Sequence, residues 1–486
     1  MTSKFQELKS MKIVPLLIDG KQFPSTSQIF VVFSNKLQRE LFLAESADAA
    51  AATAAADAAS KAFKTWKHTP WTTRRDILLR TADIIQQRED DLKEMMCSET
   101  SCTSSYAAFQ IEFVISCIRE IASRISSMVG EVPNMASPDT IGFIFREALG
   151  PILLIAPWNT PIILAGRSLA SIIGAGCSVV FKASELSPKT HHMLAEAFIE
   201  SGVPSGVINV IQTSREDAAV VTETLIAHRA IRKIEFIGSA GVGSKIAQVA
   251  AKYLKPVLME MGDKAAAIIL EDANMEQAAA TCIFGAYMHH GQICYGTERI
   301  ILMKSIADDF ITILKKKASA FDVGLPVTAA MAKGSHDKLL DARSKGAKFL
   351  LGGPQYNEKN ALVPTIVTGI TKDMVMWNQE TFGPSVAVFI VNNDEEAIDL
   401  VNDTPYGFST SIHTTDLTRA LNISKELEVG QVQVNANTVY GEANLPCGGI
   451  KSTGWGAMNS RWGLEEFTRL KTFTASMSSH KNFASH

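Results

Sequence analysis

One cysteine carries the most chemistry in this sequence. Cys294 lies in the run Gly291-Gln-Ile-Cys-Tyr-Gly-Thr-Glu-Arg299, directly after His289 and His290. A thiolate there would be a nucleophile. A lone free cysteine is more often a small buried hydrophobe, so the choice rests on what the fold brings to it. Four other stretches offer partners. In Ala156-Pro-Trp-Asn-Thr-Pro161 the amide of Asn159 could donate to a developing oxyanion or simply hold a turn. In Val179-Val-Phe-Lys-Ala-Ser-Glu-Leu-Ser-Pro188, Lys182 and Glu185 could hydrogen-bond ribose hydroxyls or be ordinary exposed charges. Phe236-Ile-Gly-Ser-Ala-Gly-Val-Gly243 has glycines for close backbone approach, and Ser239 could cap a helix whose N-terminus attracts phosphate. Its spacing is not Gly-x-Gly-x-x-Gly, and such a turn alone says little. Glu260, in Glu260-Met-Gly-Asp-Lys264, ends an apolar stretch. Burial there would raise its pKa towards that of a general base; a structural ion pair is the plain alternative.

The elements that must position these residues read as follows. Residues Ile13–Phe23 alternate and turn at Asp19-Gly20, a hairpin signal. Ala44–Lys64, Trp71–Cys97 and Phe109–Gly130 read as helices, so the first 130 residues or so are mostly helical after that hairpin. Thr140–Arg146 is β-prone and could be an arm leaving the body of the fold. From Gly150 strands and helices alternate, with strands at Pro151–Ile155, Ser178–Lys182, Val207–Ile211, Lys233–Ile237 and Pro256–Met259. That repeat predicts a parallel sheet with right-handed crossovers and a site at the strand carboxyl ends. A second α/β stretch starts at Ala265, with helix Met275–His290 leading into Cys294. Pro446–Gly456 is a glycine-rich loop. Thr472–Met477 is a last β-prone segment that could pair with the arm.

Composition narrows the class. The 486 residues can form two or three domains, and 46% hydrophobic with 20% charged residues is the profile of a soluble globular enzyme. A net charge of −3 with no dense basic block argues against nucleic acid or anionic membrane as the partner. Seven cysteines at irregular spacing suit reduced thiols in the cytoplasm, and none has metal-site spacing. Residues 1–10 lack the apolar core of a signal peptide. No apolar run approaches the roughly 20 residues of a membrane helix.

Asn159, the Lys182–Glu185 turn, Gly238-Ser239, Glu260, Cys294, Glu380-Thr-Phe-Gly-Pro384 and Pro446-Cys-Gly-Gly-Ile-Lys451 stand in this order at spacings that resemble the aldehyde dehydrogenase superfamily. Each motif alone is weak; seven in order are not. The resemblance covers nearly the whole chain. It implies an α/β fold with a Rossmann-like NAD-binding domain (1–134 and 151–260), an α/β catalytic domain (261–455) and a small β oligomerisation domain (135–150 and 456–486). It implies oxidation of an aldehyde to the acid with NAD, NADP being the lesser choice because the Glu185 charge would repel a 2′-phosphate. Carried over by position, Cys294 attacks the carbonyl carbon, Asn159 and the Cys294 backbone N–H hold the oxyanion, and Glu260 activates the water that hydrolyses the thioester. Lys182, Ser184 and Glu185 would bind the adenosine ribose. Ala156, Trp158, Gly238 and Ser239 would meet the adenine side and pyrophosphate. Met261, Gly262, Glu380 and Phe382 would hold the nicotinamide end. The substrate pocket would draw on Leu164, Arg167, Ile293, Tyr295, Tyr440 and Cys447. A homodimer or homotetramer is implied, with the two β-prone arms exchanged between subunits.

Within the family, Gly-Gln-Ile-Cys-x-x-Thr-Glu-Arg with Lys-Ala-Ser-Glu resembles the salicylaldehyde and vanillin branch, which implies an aromatic or bulky aldehyde. Arg167 would then meet a hydroxyl or anionic group of the substrate, or make a salt bridge at the surface or between helices. Some residues depart from the family pattern. Asp263 replaces a second glycine and would put a side chain into a tight region near the nicotinamide. Cys447 replaces a phenylalanine and would open the pocket. Gly454-Trp-Gly-Ala-Met458 lacks an acid sometimes assigned to proton relay, and Phe321–Met331 is short. Two alternatives follow: a member that passes the acyl group to coenzyme A, and a degenerate member that binds cofactor without turnover.

Overall fold

The computed structural model describes residues 12–23 and 28–477. The reading of residues 1–10 therefore lies outside the described residues, as does the C-terminal end of the 456–486 segment. The five strands read from residue 151 onward are Ile152–Ile155, Val179–Lys182, Ile208–Ile211, Lys233–Ile237 and Val257–Glu260. All five pair in parallel. Nearly every residue in them is buried, because helices cover both faces and the strands are filled with Val, Ile and Leu. In space the first strand lies between the second and the fourth. The strand order thus reverses at Ile152–Ile155, and the crevice of a doubly wound sheet opens beyond the carboxyl ends at such a point. Ala156, Trp158 and Asn159 follow one of those strand ends, and Gly238 and Ser239 follow the other. The hairpin Leu16–Ile18/Lys21–Phe23 extends this sheet at one edge, and Gly454–Trp455 extends it at the other, antiparallel to Val257–Glu260.

A second sheet has seven strands in the order Lys348–Leu351, Thr365–Thr368, Ser385–Val391, Arg299–Met303, Ala266–Ile269, Ser409–His413, Gln431–Val434. It is parallel except at the Lys348–Leu351 edge. The arm strands Thr140–Ala148 and Thr468–Ser476 pair antiparallel over their full length, within one chain.

Three features differ from the sequence reading. A second hairpin, Ile29–Ser34 with Arg39–Glu45, precedes the helices. Its first strand is Ile-Phe-Val-Val-Phe-Ser, with Ile29, Val31 and Phe33 exposed. Apolar residues on both faces erase the period-2 signal. The helix Ala329–Ser344 also went unread; Gly334 lies inside it, and its apolar residues do not gather on one face. Third, the helix Ser460–Glu466 does not travel with the arm. Leu464 and Phe467 are buried in the same core as Ile121 and Leu169, against the helices Ser104–Arg124 and Pro161–Gly174. Residues 454–467 thus close the first layer, and only the strand beyond them leaves it.

Candidate active site

The loop bearing Cys294 is tightly held. After helix Met275–Tyr287 the backbone turns left-handed at His289 and His290, with φ of 51° and 59°. Gly291 follows at φ 71°, where a Cβ would stand 2.2 Å from the Gly383 carbonyl oxygen. Only glycine lets these two loops meet so closely, and the contact sets Cys294 beside the Glu380–Pro384 turn. Gln292 anchors the loop: its Nε2 donates to His289 O at 2.9 Å and its Oε1 accepts from Val327 N at 3.0 Å. Asn159 Nδ2 donates to Gln292 O at 3.0 Å. One amide proton of Asn159 is thereby committed two residues from Cys294, which leaves the other for an oxyanion.

Cys294 is half-buried and opens into a cavity of about 240 Å³. The six residues expected around the substrate, Leu164, Arg167, Ile293, Tyr295, Tyr440 and Cys447, all line it, and so does Glu260. Tyr295 stacks on Phe408 at 4.8 Å, which fixes its ring. Sequence reasoning missed Tyr106, Phe109 and Phe113, which form the opposite wall, and Gln431 and Gln433 at its rim. The three aromatics lie along one face of helix Ser104–Arg124. That spacing was legible, but a stripe of this kind is as common in a core as in a pocket.

Arg167 is neither a surface residue nor part of an inter-helix bridge. It is buried and pairs with the buried carboxylate of Glu260, Nη2 to Oε2. The apolar surroundings expected at the end of strand Val257–Glu260 are thus replaced by a cation. Glu260 Oε1 has no hydrogen-bond partner. Oε2 is held by Arg167, Oε1 is buried without a partner, and Glu260 is among the residues lining the cavity that Cys294 shares. Burial pushes the Cys294 thiol well above its ordinary pKa, and the charges of Glu260 and Glu380 add to this; Arg167 opposes it. A raised pKa keeps the resting sulfur a thiol, and Glu260 lines the same cavity. Cys447 is buried and its thiol is pushed up, chiefly by burial.

On the other side of the Cys294 loop stand the residues expected to meet a dinucleotide. Lys182 is 8% exposed, not an ordinary surface charge, and burial lowers its pKa against the pull of Glu185. Ser184 is buried, its N–H donating to His191 Nδ1 at 3.2 Å. Ala156 is buried at its strand end. Gly238 lies over the Phe236 ring, where a Cβ would be 2.6 Å from the ring edge. Ser239 occupies the N-cap position of helix Ala240–Lys252, but its side chain makes no capping bond. The expected hydroxyl cap is therefore absent, and only the Ser239 carbonyl enters the helix ladder, accepting from Gly243 N at 2.9 Å. Met261 is buried, with its sulfur against Gly243. Gly262 faces Glu380, where a Cβ would stand 2.7 Å from the carboxylate. Glu380 keeps Oε1 without a partner, and burial raises its pKa well above the usual range. The Trp158 indole stands edge-on to Phe382 at 6.0 Å and to His289 at 6.2 Å.

Glu298, from the same motif as Cys294, ties the two loops together. It accepts from Lys264 Nζ at 2.6 Å, from Thr381 N at 2.6 Å and from Thr381 Oγ1 at 2.7 Å. The Asp263 carboxylate accepts from Phe408 N at 3.2 Å and Ser409 N at 3.0 Å. Burial raises it to about 6 despite those bonds. The side chain that replaces a glycine here holds the start of strand Ser409–His413.

A model of the aldehyde dehydrogenase family matches residues 23–473. The chain is 36% identical over 425 residues to a salicylaldehyde dehydrogenase of Pseudomonas putida, covering 85% of this chain and 87% of that one. It is 36% identical over 477 residues to a vanillin dehydrogenase of Pseudomonas fluorescens, covering 95% and 97%. The crystal structure of a salicylaldehyde dehydrogenase from Pseudomonas putida G7, complexed with salicylaldehyde, matches with a TM-score of 0.94 at 33% identity over 97% of this chain and 100% of that one. The chain belongs to the aldehyde dehydrogenase family.

Proposed function

We propose that this family member oxidises an aromatic or otherwise bulky aldehyde to its carboxylic acid, with NAD as the acceptor. The observation that carries the reading is that Cys294 and Glu260, which keeps one carboxylate oxygen without a partner, line one cavity together with Tyr106, Phe109, Phe113 and Tyr295. Aromatic walls suit a flat apolar ring, and the relatives named for salicylaldehyde and vanillin point the same way.

The residues present fit a nicotinamide dinucleotide. Glu380 Oε1 is a buried acceptor with no protein donor, as a ribose hydroxyl would require, and Gly262 keeps the space in front of it open. Lys182 with Glu185 would hold the other ribose, and the Glu185 charge favours NAD over NADP. When bound, the nicotinamide supplies the hydride acceptor. The protein does the rest. Glu260 Oε1 takes the thiol proton of Cys294. The sulfur adds to the aldehyde carbon, and the free amide proton of Asn159 with the Cys294 backbone N–H receives the oxyanion. Loss of the hydride leaves a thioester on Cys294. Glu260 passes the first proton to solvent and, ionised again, takes a proton from the water that hydrolyses the thioester, which releases the acid and leaves the sulfur of Cys294 to be reprotonated. Such a hydrolytic base disfavours acyl transfer to coenzyme A. The degenerate reading rested on Asp263, whose carboxylate is engaged with Phe408 and Ser409. All seven cysteines are free thiols, which suits the cytoplasm.

The test follows reduced-nicotinamide absorbance with NAD+ or NADP+ and a panel of aromatic and aliphatic aldehydes. We expect turnover with NAD+ and aromatic aldehydes that vanishes in Cys294→Ser. Turnover that survives in that variant, or none with any aldehyde, would overturn the reading.

A further inference from the structure

Glu235 is a buried acid that the reaction above does not use. It lies in the middle of strand Lys233–Ile237, is 1% exposed, and pairs in register with Leu154 on one side and Leu258 on the other. A parallel sheet covered on both faces fills such positions with aliphatic residues. Ile237 is in register with Glu260, and residues two apart share a face, so Glu235 and Glu260 project from the same side of adjacent strands. Helix Pro161–Gly174 meets both of them. Ser168 Oγ donates to Glu235 Oε1, and the preceding residue, Arg167, pairs with Glu260. Three buried polar atoms in this cluster have no partner: the acceptors Glu235 Oε2 and Glu260 Oε1, and the donor Arg167 Nε. A guanidinium in the field of two carboxylates, with a spare donor on it and a spare acceptor on each of them, has two arrangements open to it.

We propose that Glu235 is a positioning residue for Glu260, competing with it for Arg167: a neutral Glu235 leaves the guanidinium on Glu260, and an ionised Glu235 draws it across and frees the Glu260 carboxylate to take a proton. This rests on the reading of Glu260 as the base. Burial raises Glu235 to about 7, against the Ser168 bond and the Arg167 charge, so the exchange falls at neutral pH. The other groups facing the cluster do not compete in that range: burial pushes Cys294 and Tyr295, which face Glu260 and Arg167 from the cavity, well above their ordinary values. On the same strand Lys233 is committed to Glu466. From helix Ser104–Arg124, Cys117 is pushed up to about 12 by burial, and Cys447 from the glycine-rich loop is pushed up for the same reason. Strand Ile152–Ile155 presents Leu154. The device also supplies a titrating acid in a chain whose Gly454–Met458 segment lacks one.

Glu235→Gln keeps the volume and an acceptor for Ser168 but cannot ionise. Two measurements on the full chain test the proposal. In pH-difference infrared spectra, the parent should show a carboxylic acid band that titrates near neutrality and is missing in Glu235→Gln, with guanidinium bands shifting alongside it. In Cys294-dependent hydrolysis of 4-nitrophenyl acetate, which needs no cofactor, the parent rate should rise from about pH 6 to about pH 8. The variant should stay near its low-pH level, roughly tenfold slower at the upper end, with KM unchanged. Profiles that superimpose over that range, or no titrating band, would overturn the role of Glu235. A parent with no Cys294-dependent hydrolysis would instead overturn the reading of Glu260 as base, and the infrared titration would still report whether Arg167 follows Glu235.

Discussion

Arg167 shows what a single residue type can and cannot say. Its position near Asn159 was legible, and so was its place on a helix beside the pocket. That its partner is Glu260, 93 residues later, was not, because the register between helix Pro161–Gly174 and strand Val257–Glu260 is set by packing. Removing one member of a buried ion pair leaves the other uncompensated, at a cost of about 3–5 kcal/mol. Arg167→Met should therefore destabilise the chain by that order in urea unfolding, and adding Glu260→Gln should recover part of the loss. A double variant no more stable than the single one would remove the pair from the account. Asp263 gives the opposite lesson. Replacement of a glycine near the cofactor reads as an obstacle, yet the carboxylate holds two backbone N–H groups of another strand. Asp263→Gly should lower stability by about 1–3 kcal/mol and leave the NAD+ dissociation constant unchanged in calorimetric titration. Tighter NAD+ binding in that variant would mean that the side chain does intrude.

Elements are positioned by residues that local sequence does not reveal. Helix Pro188–Glu200 has Ser187 at its N-cap with no side-chain cap. The acceptor comes from another helix: Glu99 accepts from Lys189 N and Thr190 N, each at 2.9 Å, and from Thr190 Oγ1. A carboxylate at a helix N-terminus also meets the favourable end of the helix dipole. Burial nonetheless raises Glu99 from its ordinary 4.5 to about 7. The folded chain then holds a proton that the unfolded chain releases, so this contribution to stability is complete below about 4.5 and is lost as pH rises to about 7. Glu99→Gln should cost about 1–3 kcal/mol at pH 5, since the amide nitrogen cannot accept. It should also flatten the decline in unfolding free energy between pH 5 and 8, the range over which that carboxyl titrates. An equal slope in parent and variant would rule out Glu99 as its source. The five parallel strands were legible because their apolar runs alternate with helical periods. The hairpin Ile29–Glu45 was not, because its apolar residues face both ways.

For the whole molecule, the division into two sheets and an arm was legible from the order of motifs, and so was the pairing of the arm strands. The return of residues 454–467 to the first layer was not, because it depends on Leu464 and Phe467 finding a core built by distant helices. The arm itself poses the remaining question. A two-stranded ribbon is marginal in water by itself, and this one exposes Phe143, Phe145 and Phe473 on one face. Phe143 stands opposite Phe473 in the ladder, with ring centres 6.3 Å apart, and stacks on Phe145 at 6.1 Å. A contiguous apolar patch on an exposed ribbon marks an interface, and we propose that a second copy of the chain covers it. Sedimentation velocity of the parent should then give a multiple of 52.7 kDa. Phe143→Asp combined with Phe473→Asp should reduce it to that single mass, because burying two new carboxylates against an apolar surface opposes association. The separated chains should also melt at a lower temperature. A parent that sediments at 52.7 kDa, or a double variant with the parent's mass, would mean that the arm is not the interface.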